Sequence, residues 1–180
     1  MAIEIEKKYR LTEEQREQVL KNLREINADY KGEDFEENSI FQSDFLVENG
    51  GVLRIRKIGD RTILTYKKRI RNEFPVKQQI EYETEVGDAE AIGKIVENLG
   101  CVKTLVYEKR RKTWHFREVE IVLDELPFGS FMEIEGSITA IAEAEMFLGI
   151  EDFEVEHQTY PRLTGRLGKQ NGGVIEARFP

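Results

Sequence analysis

Strand after strand of this chain alternates an apolar residue with a charged one, and each charged row carries one sign. Leu53-Arg54-Ile55-Arg56 and Leu64-Thr65-Tyr66-Lys67-Lys68-Arg69 put cations on one face. Ile80-Glu81-Tyr82-Glu83 and Phe131-Met132-Glu133-Ile134-Glu135 put carboxylates there. Successive β side chains point to opposite faces, so each segment has one apolar and one ionic face. Ile5, Leu53, Ile55, Leu64, Tyr66, Ile80, Tyr82, Met132 and Ile134 stand opposite the charges. The acidic rows fall at residues 4–6, 81–83 and 133–135, and the basic rows at 54–56, 67–69 and 109–111. Two folds accommodate this. An antiparallel sheet can pack its apolar face on helices and leave the ionic face in water. Alternatively the sheet closes into a barrel, with helices over the apolar outside and charges lining the inside. Segregation of sign by strand favours the barrel, because charge that serves only solubility mixes its signs. A cavity with one acidic and one basic wall suits a divalent cation held against a polyphosphate.

Turn and cap signals place the elements. Strands are predicted at residues 2–10, 39–47, 52–58, 61–70, 77–86, 102–116, 118–125 and 131–137. Thr12 with Gln15 forms a capping box ahead of the apolar stripe Val19, Leu20, Leu23 and Ile26. Asp88 caps a second helix that ends at Gly100, and Thr139 a third that ends at Gly149. The acidic stretch 31–37 is expected to be a loop, as is 72–75 with its Pro75. A single α+β domain over residues 1–167 is expected, followed by a mobile, glycine-containing tail over 168–180.

Composition excludes some functions. With 27 Lys and Arg against 35 Asp and Glu, the net charge of −8 argues against general binding to nucleic-acid backbone. The only cysteine, Cys101, cannot form an intramolecular disulfide, which fits a reducing cytosol. No apolar run approaches a membrane span. A soluble cytoplasmic protein is expected, with no membrane partner; a homodimer stays open. His115 and His157 lack metal-ligand spacing, and Trp114 is expected to pack in the core. Asn49-Gly50-Gly51 lacks the spacing of a nucleotide-binding glycine loop.

The first strand reads Glu4-Ile5-Glu6-Lys7-Lys8, so that Glu4, Glu6 and Lys8 share one face. Together with the Leu-Arg-Ile-Arg and Leu-Thr-Tyr-Lys segments, the Glu-x-Glu of 81–83, Lys109-Arg110-Arg111 and Leu123-Asp124-Glu125 leading to Glu133-Ile134-Glu135, it resembles the CYTH family, also called triphosphate tunnel metalloenzymes. The likeness runs in the family's order from Ile3 to about Tyr160. It implies an eight-stranded antiparallel β-barrel tunnel with helices outside, a small molecule carrying a triphosphate as substrate, and Mg²⁺ or Mn²⁺ as cofactor. Carried over by position, Glu4, Glu6, Glu133 and Glu135 would bind metal, with Asp124 beside them. Lys8, Arg54, Arg56, Lys67, Lys109 and Arg111 would hold phosphate. Glu81 and Glu83 would stand near a second metal or the attacking water and, with Lys8, form the catalytic set. Tyr160 matches a family Ser-Tyr or simply closes the barrel end. The segment before Leu53 departs from the family's aromatic–Asp-Thr stretch. The resemblance implies hydrolysis of tripolyphosphate or of a nucleoside or thiamine triphosphate. Cyclisation of ATP to cyclic AMP and non-catalytic polyphosphate binding are the alternatives.

Overall fold

An unbroken ring of strand pairings organises the molecule. The computed structural model describes residues 2–70 and 77–180, with side chains at 5–68 and 79–180. The expected loop at 72–75 lies outside the described residues. The strands of the ring are β1 (Ala2–Leu11), β2 (Asp29–Gln42), β3 (Gly51–Ile58), β4 (Arg61–Ile70), β5 (Lys77–Val86), β6 (Val102–Phe116), β7 (Val119–Leu126) and β8 (Gly129–Glu135). Their order is β2-β3-β4-β5-β1-β8-β7-β6, and β6 returns to pair with β2. Every one of these ladders is antiparallel. Closing the ring pairs every strand on both sides, and the edge that β6 keeps at Leu105–Tyr107, beyond its pairing with β7, is taken by a later strand. The eight-stranded α+β barrel that the family resemblance implies is the fold observed.

Helices cover the apolar outside. In α1 (Glu13–Glu25), Thr12 accepts from the Gln15 amide at 3.2 Å and the Gln15 side chain accepts from the Thr12 amide at 2.9 Å. Its Val19 and Leu23 pack with Ile141, Ala144 and Leu148 of α4 (Ile138–Leu148) over Ile121, Leu123, Met132 and Ile134 of the barrel. Ser137, two residues before the expected cap, starts α4 by accepting from the Ala140 amide at 3.1 Å. Gly149, at φ 60°, ends it. Trp114 is buried in this same core, as expected. On the other flank, α3 (Ala89–Asn98) lays Val96 over Phe41 and Ile55.

Three expectations are corrected. The acidic stretch 31–37 is no loop but part of β2. It pairs with the basic run of β6, Glu33 opposite Lys112, Asp34 opposite Arg111 and Glu36 opposite Lys109. Opposite charges across a ladder stabilise a strand that is too acidic to stand alone. Residues 39–47 are not one strand. The strand stops at Gln42 and Ser43 caps the short α2 (Asp44–Glu48), accepting from the Leu46 amide at 3.3 Å. The segment expected as a mobile tail carries ordered elements. After α5 (Tyr160–Leu167) come β9 (Lys169–Asn171) and β10 (Val174–Ala177), and β10 lies parallel to β6 beside Leu105–Tyr107. Arg178 then meets Glu37 at 2.7 Å and Glu108 at 2.8 Å, tying the chain end across the β2–β6 seam.

The inward rows meet α5 at one end of the barrel. Ile40, Tyr107, Leu126 and Phe131 form a buried cluster with Tyr160 and Leu163, so that end is stoppered by apolar side chains. Leu23→Ala should lower stability by about 2–5 kcal/mol while leaving the barrel interior untouched, because it opens a cavity in a fully packed helix–barrel seam. Chemical denaturation of the variant measures it.

Candidate active site inside the barrel

The inward rows enclose a cavity of about 560 Å³. Glu6, Lys8, Arg54, Arg56, Lys67 and Glu81 line it. So do Glu83, Lys109, Arg111, Glu133 and Glu135. The ring therefore brings together these residues, which the sequence scatters over six strands. Asp124 lies just behind the lining and is buried. The backbone of Glu4 pairs with that of Gln79, and the Glu4 side chain lies outside the described residues.

Burial makes the walls tight. Arg111 donates to both Asp124 oxygens, at 2.7 and 2.6 Å, and to Glu133 at 2.7 Å. Lys8 sits 3.0 Å from Glu133. Lys67 lies 2.6 Å from Glu81, and Arg56 donates to Glu83 at 3.0 Å. Arg54 donates to Thr65 at 3.3 Å. The two walls thus hold one another through ion pairs that a ligand must exchange. Burial, reinforced by Arg111, lowers the Lys109 ammonium from its usual value. Burial and the neighbouring Arg54 lower the Arg56 guanidinium. Burial would also lower Arg111, but Asp124 and Glu133 outweigh it and raise that group well above its usual value.

Several residues in or behind the cavity wall escaped the sequence reading. Glu36 is buried and sits between Lys109, at 3.2 Å, and Arg56, at 3.8 Å. Its signal was the alternation Glu36, Asn38, Ile40, hidden by an acidic composition typical of loops. Glu120, Gln79 and Tyr107 also line the cavity. Tyr160 donates to Asp124 at 2.8 Å and stacks edge-on to Phe131, and Lys8 lies 3.8 Å above its ring. Burial and Asp124 raise its hydroxyl well above the usual range. Tyr160 therefore joins the stopper to the ionic wall.

The carboxylate wall suits a hard cation. Glu6 is opposite Glu135, and Glu135 is opposite Glu120, so three carboxylate-bearing positions stand level on adjacent strands. Like charges placed so are unfavourable unless something positive offsets them. Carboxylate oxygens are the donors that Mg²⁺ and Mn²⁺ prefer. Among the described residues, no three acidic, histidine or cysteine side chains are grouped as they would be around an ion. Glu133 is instead turned to Lys8 and Arg111.

Comparison with known proteins settles the family. The model of the CYTH domain matches residues 2–160. The chain belongs to the CYTH domain family. Among solved structures, the PH1012 protein of Pyrococcus horikoshii superposes with a TM-score of 0.78 at 25% identity, over 89% of this chain and 98% of that one. A candidate adenylate cyclase from Vibrio parahaemolyticus gives 0.70 at 21% identity, over 91% of this chain and 98% of the other. A Hippeastrum protein described as a candidate adenylyl cyclase with a dominant triphosphatase activity gives 0.67 at 18% identity, over 96% and 98%. No curated protein matches the chain significantly. Among the described residues, no helix of this CYTH protein is long and apolar enough to cross a membrane.

Burial opposes ionisation of Glu36, but Lys109, Arg111, Arg56 and Arg54 outweigh it and hold its pKa at about 2, against an ordinary 4.5. A carboxyl depressed in the folded state stabilises fully above its unfolded value and loses that contribution as pH falls through the folded one. Stability from Glu36 should therefore be intact above pH 4.5 and drain away toward pH 2. Glu36→Gln should flatten that acid limb in denaturation curves taken across this range.

Proposed function

We propose that this CYTH protein hydrolyses the terminal phosphoanhydride of a triphosphate with the help of a divalent metal. The observation that carries the reading is one barrel cavity with a cationic wall facing a carboxylate wall. A polyphosphate needs dense positive charge, and six cations converge there: Lys8, Arg54, Arg56, Lys67, Lys109 and Arg111. Guanidinium groups grip phosphate through a planar fork, and ammonium groups act as point charges. A purely anion-binding cavity would gain nothing from the carboxylates of Glu6, Glu133 and Glu135 opposite.

Those three carboxylates, with Glu4, would hold the metal. Mg²⁺ or Mn²⁺ held there would neutralise charge on phosphate oxygens and would make a nearby water more acidic. The basic wall orients the phosphate chain and draws off charge as the bridging bond breaks. Water oxygen attacks the terminal phosphorus, the bridging P–O bond breaks toward the leaving diphosphate group, and the water proton passes to a carboxylate. Glu81 and Glu83 line the cavity from β5 and are the bases assigned to it. If the substrate is ATP and its ribose 3′-hydroxyl attacks instead of water, the same walls serve cyclase chemistry. The names of the Vibrio and Hippeastrum relatives make that the alternative worth assaying.

A panel of tripolyphosphate, ATP and thiamine triphosphate with Mg²⁺ or Mn²⁺ tests the reading, with phosphate, pyrophosphate and cyclic AMP all measured. Phosphate release that vanishes in excess chelator is expected. Glu6→Gln and Glu135→Gln should each abolish turnover while the fold persists, and full turnover in both would refute the metal assignment. Arg56→Ala should lower kcat/KM about ten- to a hundredfold through loss of a charge-assisted contact. Its melting temperature should change little, since truncation also relieves crowding against Arg54. Steady-state kinetics and a thermal melt on that variant check both halves.

A further inference from the structure

Glu36 is an anion built into the cationic wall. It is 1% exposed. One carboxylate oxygen lies 3.2 Å from Lys109 Nζ and accepts from Asn38 Nδ2 at 3.2 Å. The other lies 3.8 Å from Arg56 Nη1 and 4.0 Å from Arg111 Nε. The ladder puts it there, since Glu36 stands opposite Lys109 and Asn38 opposite Arg56. Three of the six cations assigned to phosphate therefore already share a carboxylate. The Nε–H groups of Arg54 and Arg56 are buried with no acceptor among the described residues.

We propose that Glu36 is a resident counter-anion that weakens the hold of the cationic wall on phosphate, so that the cavity releases its products instead of being trapped by them. This rests on the reading of the cavity as a phosphate site. Two effects of Glu36 compete, and their balance sets the sign. As a charge, it repels any phosphate seated on the cations it touches. As a ligand of those cations, it holds them in place for the substrate. Ordering does not depend on Glu36 alone. Arg111 keeps its bonds to Asp124 and Glu133, Arg56 keeps Glu83, and Lys109 keeps Asp124 at 3.5 Å. A glutamine at position 36 retains an oxygen able to accept from Lys109 and Asn38. Removal of the charge therefore leaves the wall in place and should tighten phosphate binding. At the effective dielectric of a protein interior, one unit charge roughly 6–12 Å away is worth about ten- to a hundredfold in affinity.

Isothermal titration calorimetry of the full chain without divalent metal tests this, with pyrophosphate and tripolyphosphate as ligands. Wild type should bind both. Glu36→Gln should bind both about tenfold or more tightly. Glu36→Asp, which keeps the charge, should match wild type. Asn38→Asp adds a carboxylate beside Glu36, where the Asn38 Oδ1 is buried without a partner, and should bind more weakly. If Glu36→Gln fails to fold, Asn38→Asp decides, and unchanged or tighter binding by it overturns the proposal. Equal or weaker binding by a folded Glu36→Gln also overturns it and leaves Glu36 as a residue that only orders the cations. If wild type binds neither ligand, the phosphate-site reading fails and takes this one with it.

Discussion

The ladder between β2 and β6 turns a sheet into a ring, and it forms because an acidic run meets a basic one. Glu33, Asp34 and Glu36 face Lys112, Arg111 and Lys109 in register. Neither run would make a strong strand alone, since charged residues crowd one another along each. Across the ladder the repulsions become attractions. The chain end reinforces the seam from outside. Arg178 binds Glu37 and Glu108, themselves opposite one another in that ladder, and Phe179 meets Phe35 and Arg110. Closing the barrel at this seam gives the ionic rows an inside. Without it, the same residues would be the wetted face of an open sheet.

An interior lined with ions is costly, because each charge loses water on burial. The pairing of the walls offsets that cost. Asp124 saturates one side of Arg111, Glu133 bridges Arg111 and Lys8, and Glu83 meets Arg56. A triphosphate entering such a cavity exchanges ion pairs rather than creating them. Its net affinity would then depend on how strongly the walls already hold one another, and Glu36, on the basic side, already holds Lys109 and Arg56.

The barrel was legible because alternation survives in single strands. Leu53-Arg54-Ile55-Arg56 reads as one apolar and one ionic face, and the structure puts Ile55 under α3 and both arginines in the cavity. Sign segregation only leaned from sheet toward ring, and the ordered set of motifs from Ile3 to Tyr160, in its likeness to the CYTH family, carried that step. The cap at Thr12 and the stop at Gly149 were equally local. What stayed hidden was non-local. Residues 31–37 are acidic enough to pass for a loop, and only a partner seventy-odd positions away, at 109–112, makes them a strand. Glu36 and Asn38 were lost with that strand. The hairpin β9–β10 was hidden likewise, since its glycines signal mobility until β6 offers an edge. The rows that line the cavity were legible because their chemistry repeats along the strand; Gln79, Tyr107 and Glu120 were not singled out because each differs in kind from its neighbours in the row.

The stopper at the inner end completes the electrostatic argument. With Ile40, Tyr107, Leu126 and Phe131 packed with Tyr160 and Leu163 of α5, apolar side chains flank that side of the ionic layer. A lower local dielectric strengthens each ion pair and each contact to a phosphate alike. Tyr160 stands at the boundary, its ring in the apolar cluster and its hydroxyl on Asp124. Asp124 in turn holds Arg111. The position of α5 is thereby linked through one hydroxyl and one carboxylate to a cation of the basic wall. The helix that seals the barrel also orients the residues it seals in, and the family match, which ends at residue 160, reaches just far enough to include that tyrosine.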